Sequence, residues 1–103
     1  MNINYDVCSE LLKAIAHPLR LQILKELMSG KKCVTDIQEL VKTSQPNLSQ
    51  HLKILRKDKI IDCKEEGKRR CYFISKSYVA PAFTILSACE AFSKWYKQNN
   101  NNL

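Results

Sequence analysis

Glycine-rich phosphate loops, Cys-x-x-Cys pairs and long apolar runs are all missing from this 103-residue chain. Only two glycines occur, Gly30 and Gly67, so no stretch reads as a loop that cradles a nucleotide phosphate. No apolar run approaches the roughly 18 residues that a membrane-crossing helix needs, and the N-terminus lacks the layout of a signal peptide. The expectation is a soluble, cytoplasmic protein with no membrane partner. Five cysteines (Cys8, Cys33, Cys63, Cys71 and Cys89) are odd in number and widely spaced. That argues against both a disulfide framework and a closed zinc knuckle. With no paired-carboxylate site and no nucleophile beside a positioned base, an enzyme is not expected. Internal repeats and linkers are also missing. The chain reads as one small domain over residues 1–98 with a frayed, disordered tail at 99–103.

What the chain does have is positive charge, and it is unevenly placed. The formal net charge is +7, and residues 42–76 hold ten Lys/Arg against four Asp/Glu. The remainder holds seven against six and is nearly balanced. A localised basic surface of this kind is the footprint of a polyanion partner.

The basic region overlaps Thr35–Arg56, which reads as two short helices joined by a polar break at Lys42-Thr43-Ser44. Ser44 suits the N-cap of the second helix, and Pro46 suits its first turn, where a missing N–H costs nothing. At about 100° per residue, Leu48, Leu52 and Leu55 share one face of that helix. Gln50, Lys53 and Lys57 point the other way, with Asn47 and Ser49 on the flanks. One face is built to dock on its own domain. The other offers donors and acceptors that suit base edges and phosphates in a major groove.

Around this pair the pattern gives a first helix over Tyr5–Ala16 and a second over Pro18–Met28. The break between them falls at His17-Pro18, and Gly30 closes the second. After Asp58-Lys59 a hairpin follows, with strands at Ile60–Lys64 and Arg69–Ile74 and a tip at Glu65–Lys68 carrying Gly67. Lys68, Arg69 and Arg70 make a basic run at the tip, suited to a phosphate backbone. A last helix over Val79–Gln98 carries a broad apolar face that includes Val79, Phe83, Leu86 and Trp95-Tyr96. In a domain this small such a face suits a second copy of the chain. The fold class is thus mainly α with a small β-hairpin, a winged helix-turn-helix in a homodimer.

The run Ala14-x-x-His17-Pro18-x-Arg20-Leu21-x-Ile23-Leu24, then Cys33-Val34-x-Asp36-Ile37, then Ser44-Gln45-Pro46-x-x-Ser49-x-His51-Leu52-x-x-Leu55, then Gly67-x-x-x-x-Tyr72-x-Ile74 resembles the ArsR/SmtB family of small dimeric winged-helix repressors. The resemblance covers about Leu11–Ser75. It implies five helices with a β-wing between the fourth and fifth, and dimerisation through the first and last. It also implies a double-stranded DNA operator that is released when an inducer binds. Carried over by position, Ser44, Gln45, Asn47, Ser49 and Gln50 would contact DNA. Lys53 and the wing residues Lys68, Arg69 and Arg70 would support them. His51 matches the family histidine, but beside the buried leucines it reads mainly as a packing residue.

The sensing chemistry departs from the pattern. Metal-sensing relatives often carry Cys-Val-Cys-Asp where this chain has Cys33-Val34-Thr35-Asp36, and the last helix contains no histidine for a zinc-type site. DNA binding requires no cofactor on this reading. Cys33 is the leading thiol, because two lysines precede it and a helix N-terminus follows, both of which favour the thiolate. Soft As(III) or a soft divalent metal suits it as inducer, with Cys8 or Cys89 as partner thiols. Cys63 and Cys71 would oppose each other across the hairpin if its tip had three residues, and would separate on a one-residue slip. The leading expectation is therefore a repressor released by arsenite or a soft metal. The alternatives are release by cysteine oxidation or persulfide formation, and a constitutive DNA-binding module without a ligand.

Overall fold

The computed structural model describes residues 1–100. Its elements run α1 (Tyr5–Ile15), α2 (Pro18–Leu27), β1 (Lys32–Cys33), α3 (Val34–Val41), α4 (Gln45–Lys57), β2 (Ile61–Glu66), β3 (Arg69–Ile74), a 3₁₀ turn (Lys76–Tyr78) and α5 (Val79–Asn100). This is a mainly helical winged helix-turn-helix with a small antiparallel sheet.

Local chemistry sets the boundaries. The side chain of Asn4 caps α1 by accepting from Val7 N–H, His17 caps α2 through Leu19 N–H, and Ser44 caps α4 through Asn47 N–H. Each satisfies one backbone donor that the helix itself leaves unpaired. Pro18 and Pro46 sit in the first turns of α2 and α4, as the sequence indicates. The break between α3 and α4 is made by Lys42 in the left-handed conformation (φ 51°), a role glycine usually takes. Gly67 (φ 65°) and Lys68 form a two-residue hairpin turn, with Glu66 opposite Arg69.

The core lies where α2, α3 and α4 meet the base of the sheet. Ile23, Leu24, Ile37, Leu48, Leu52, Leu55, Ile60 and Ile61 are all essentially inaccessible. Leu48, Leu52 and Leu55 are the three leucines assigned to one face of α4, and all three are buried. Truncating any one to alanine removes transfer energy and leaves a cavity, about 2–5 kcal/mol together.

Three features differ from the sequence-based expectation. Lys32 and Cys33 are not a plain connection but a third strand, so the sheet order is β1-β3-β2 with β3 central. The hairpin tip is shorter than expected because β2 continues to Glu66. That register sets Cys63 opposite Tyr72 and Lys64 opposite Cys71. Side chains alternate along a strand, so Cys63 and Cys71 lie on opposite faces and form no wing dithiol. The last helix extends to Asn100, with the Asn99 and Asn100 side chains donating to the carbonyls of Trp95 and Tyr96. The remainder of the expected tail, residues 101–103, lies outside the described residues.

Candidate nucleic-acid interface

The polar face of α4 is fully presented. Ser44, Gln45, Asn47, Ser49, Gln50 and Lys53 are all exposed, while the leucines behind them are buried. Some of these side chains also build the turn. Ser44 Oγ accepts from Asn47 N–H at 3.3 Å, and Asn47 Nδ2 donates to Thr43 Oγ1 at 2.8 Å. Gln45, Ser49, Gln50 and Lys53 have no such bond to another side chain among the described residues, which leaves them to a ligand.

The wing stands beside this face. Lys68 occupies the hairpin turn, and Arg69 and Arg70 begin β3; all three are exposed. One cleft is lined by Gln45 and Ser49 of α4, by Lys68–Arg70 of the wing, and by Cys33 and Thr35 of the β1–α3 junction. A second groove runs between Ser49, Lys53, Arg56 and Lys57 of α4 and Arg70 and Tyr72 of β3. Recognition helix and wing therefore form one continuous cationic surface. Arg56 and Lys57 belong to it; the helical spacing already puts Lys57 on the polar face, whereas Arg56 was assigned no DNA role. Their signal was the basic run at the end of α4, on the turn that follows Lys53.

Internal ion pairs hold parts of this surface in place. Arg69 Nη2 donates to Asp36 Oδ2 and Thr35 Oγ1, both at 3.3 Å, tying the wing to the start of α3. Arg56 meets Asp62 at 3.4 Å, and Lys31 meets Glu66 at the far end of β2. The hydrogen bond from Lys31 holds the Glu66 carboxyl below its usual range. Pairs this exposed contribute little to stability.

Behind α4 lies a polar knot that the sequence reading did not resolve. His51 is 8% exposed and packs on His17, with ring centroids 4.3 Å apart. Arg20 Nε donates to His51 Nδ1 at 3.2 Å, and Arg20 Nη1 donates to the carbonyl of Ala14 at 2.8 Å. His17 Nδ1 accepts from Leu19 N–H at 3.1 Å. An arginine only donates, so the His51 nitrogen facing it is unprotonated and the ring is neutral. Burial, then His17, then Arg20 push the His51 pKa below its ordinary value. His51 is thus a packing residue that also joins α4 to α2 and the end of α1.

The cysteines fall in four places. Cys8 is exposed on α1, Cys63 is half-buried on β2, and Cys89 is half-buried on α5; all three are free thiols. Cys33 faces Cys71 across the β1–β3 pair, and the two are joined as a disulfide. Within one chain the sulfur joined to Cys33 is that of Cys71, and Cys8 and Cys89 are free. Among the described residues, no group of three or more His, Cys, Asp or Glu side chains is placed to share a metal ion.

A helix with one face buried on its domain, a polar face exposed, and a basic hairpin at its side define a winged helix-turn-helix DNA-binding domain. Comparison with known proteins agrees. The profile described as "Bacterial regulatory protein, arsR family" matches residues 17–62. An uncharacterised HTH-type transcriptional regulator of Methanocaldococcus jannaschii is 41% identical over 71 residues, covering 68% of this chain and 80% of that protein. The arsenical resistance operon repressor of Staphylococcus xylosus is 31% identical over 77 residues, covering 75% of this chain and 74% of that protein. Among solved structures, the homodimeric winged helix-turn-helix DNA-binding domain Mb0332 of Mycobacterium bovis superposes with a TM-score of 0.73 at 28% identity. That match covers 84% of this chain and 81% of the other. The chain belongs to the arsR family of bacterial regulatory proteins.

Proposed function

We propose that this protein is a homodimeric transcriptional repressor. On this reading it binds a double-stranded DNA operator through α4 and the wing, and it leaves the operator on a thiol-directed signal centred on Cys33. The observation that carries the DNA-binding part is the division of α4. Three leucines on one side are 0–1% exposed, while Gln45, Ser49, Gln50 and Lys53 on the other face outward beside Lys68, Arg69 and Arg70. Gln50 and Asn47 are the base-reading candidates, and the lysines and arginines supply phosphate contacts.

Dimerisation rests on α1 and α5. Tyr5, Val7 and Leu12 of α1 and Phe83, Phe92, Trp95 and Tyr96 of α5 are between 45% and 76% exposed. Aromatic surface of this density is characteristic of an interface. The structural relative from M. bovis is described as homodimeric. Two copies would set two α4 helices about one turn of DNA apart.

The signal acts on thiols. The S. xylosus relative is named an arsenical resistance operon repressor, and arsenite or a soft divalent metal is the first candidate. A three-thiol site built on Cys33 with Cys8 or Cys89 would draw on the second copy, since one chain assembles no such group among its described residues. Oxidation of cysteine is the second reading, favoured by the pairing of Cys33 with Cys71. The test is fluorescence anisotropy of the reduced protein on DNA from upstream of its own gene, with and without arsenite at fixed salt. Tight binding, release by near-stoichiometric arsenite, and loss of release in Cys33→Ser are expected. Binding that arsenite leaves untouched would reject the arsenical signal. Release that survives replacement of all five cysteines would reject every thiol signal.

A further inference from the structure

We propose that Cys33 and Cys71 are a two-electron redox switch, and that their disulfide lowers DNA affinity by withholding the wing arginine Arg69. The inference rests on the repressor reading above and names its regulation.

Four observations carry it. First, Cys33 and Cys71 are direct partners in the β1–β3 register and are joined there, so the fold itself brings the two sulfurs together. Second, their exposure differs. Cys71 is wholly buried, whereas Cys33 is half-buried and lines the cleft between α4 and the wing. A solvent-borne oxidant meets Cys33 first, and Cys71 waits behind it. Third, Cys33 occupies the N-cap of α3 without making a side-chain cap hydrogen bond, unlike Asn4, His17 and Ser44 on their helices. Its sulfur does no capping that another residue would do better. Fourth, the residues that flank the pair are the ones that hold Arg69. Thr35 and Asp36 follow Cys33 closely, Arg69 precedes Cys71 by two, and Arg69 Nη2 lies 3.3 Å from both acceptors.

A protein that acts on chromosomal DNA works where thiols are kept reduced, so a disulfide there is one that forms and breaks. The step balances with a hydroperoxide as oxidant. The Cys33 thiolate attacks the O–O bond, taking one oxygen to become a sulfenic acid and releasing water or an alcohol. The Cys71 sulfur then displaces the hydroxyl as water and forms the S–S bond. A dithiol reductant returns both thiols by exchange. In the disulfide form β1, the start of α3 and the wing are clamped, and Arg69 stays on Asp36. With the clamp open, Arg69 is free to leave that exposed pair for a phosphate.

The experiment compares reduced and hydrogen peroxide-treated protein on a duplex from upstream of its own gene, with non-reducing peptide mapping of the same samples. A linked Cys33–Cys71 peptide and DNA binding at least fivefold weaker are expected, both reversed by dithiothreitol. Cys33→Ser, Cys71→Ser and Cys71→Ala should bind as reduced wild type does and ignore peroxide. The Cys33 variant keeps the test sound if changes at buried Cys71 impair folding. A Cys8→Ser/Cys63→Ser/Cys89→Ser variant should keep the response, and Asp36→Asn should narrow the gap between the two states. No linked peptide, a response that persists without Cys33, or equal affinities in both states would overturn the switch. If the reduced protein fails to bind its own upstream DNA while the peptide still forms, the repressor reading is at fault and the coupling falls with it.

Discussion

Helices α4 and α5 spend their apolar residues in opposite ways. In α4, thirteen residues long, Leu48, Leu52 and Leu55 are 0–1% exposed, and His51 is tied down by Arg20. In α5, twenty-two residues long, Ala82 alone is fully buried, while Ile85 and Leu86 pack partly on the core. Phe92, Trp95 and Tyr96 stand in solvent at 45–67% exposure. The recognition helix is complete within one chain, and the terminal helix is not. A domain of this size has limited core to offer, and it uses that core to fix the helix that reads DNA. On the proposed dimer, the exposed second half of α5 is the surface that a second copy would cover.

Substitutions sharpen that contrast. The largest effect is expected from Leu52→Ala, which should destabilise the fold by about 2–5 kcal/mol in urea denaturation. Trp95→Ala should leave the α4 core intact and instead weaken dimerisation, by about 2 kcal/mol if it is an interface anchor. Sedimentation velocity over a dilution series would show this. A Trp95→Ala chain that stays dimeric at wild-type dilution would remove α5 from the interface. Gln50→Ala should cost about 1–3 kcal/mol on the preferred site if its contact is bidentate, and should relax sequence preference. Arg70→Ala should weaken all sequences alike and shrink the slope of log affinity against log salt by about 1. A sequence-dependent loss on Arg70→Ala would mean that helix and wing roles are reversed.

The smallest expected effect is a pH dependence centred on His51 of α4 and its neighbours His17 and Arg20. The folded His51 pKa lies below that of the unfolded chain, so between the two values the unfolded state binds more protons. Stability from this site is therefore full above about pH 6.5, the ordinary histidine value, and falls as pH is lowered through that region. Thermal melts from pH 7.5 to 5 should show the loss in wild type and a smaller one in His51→Gln. A melting curve for His51→Gln that follows wild type across this range would remove His51 from the pH response.

The same contrast explains what the sequence revealed. The α4 faces were legible because leucines recur at helical spacing and Ser44 and Pro46 mark the start. The extra strand β1 was not, because two residues carry no periodicity and Lys32-Cys33 becomes a strand only by pairing with Tyr72 and Cys71. The Cys33 partner was missed for the same reason, being 38 residues away and dependent on that pairing. The pairing of Cys63 with Cys71 depended on a three-residue tip, and the two-residue tip sets Cys63 opposite Tyr72 instead. The packing role of His51 was readable from its place beside the leucines, but Arg20, 31 residues upstream, was not visible as its partner. Local pattern gives faces; it does not give which distant side chain closes a polar contact.

The most direct test of the central assignment is a titration of the reduced protein against two duplexes of equal length and salt. One comes from upstream of its own gene, and the other is a scrambled sequence of the same composition. If α4 reads base edges, the upstream duplex should bind at least about a hundredfold more tightly, and Gln50→Ala should shrink that ratio. Equal affinity for both duplexes, falling together with salt, would contradict sequence reading by α4 and leave only a cationic surface.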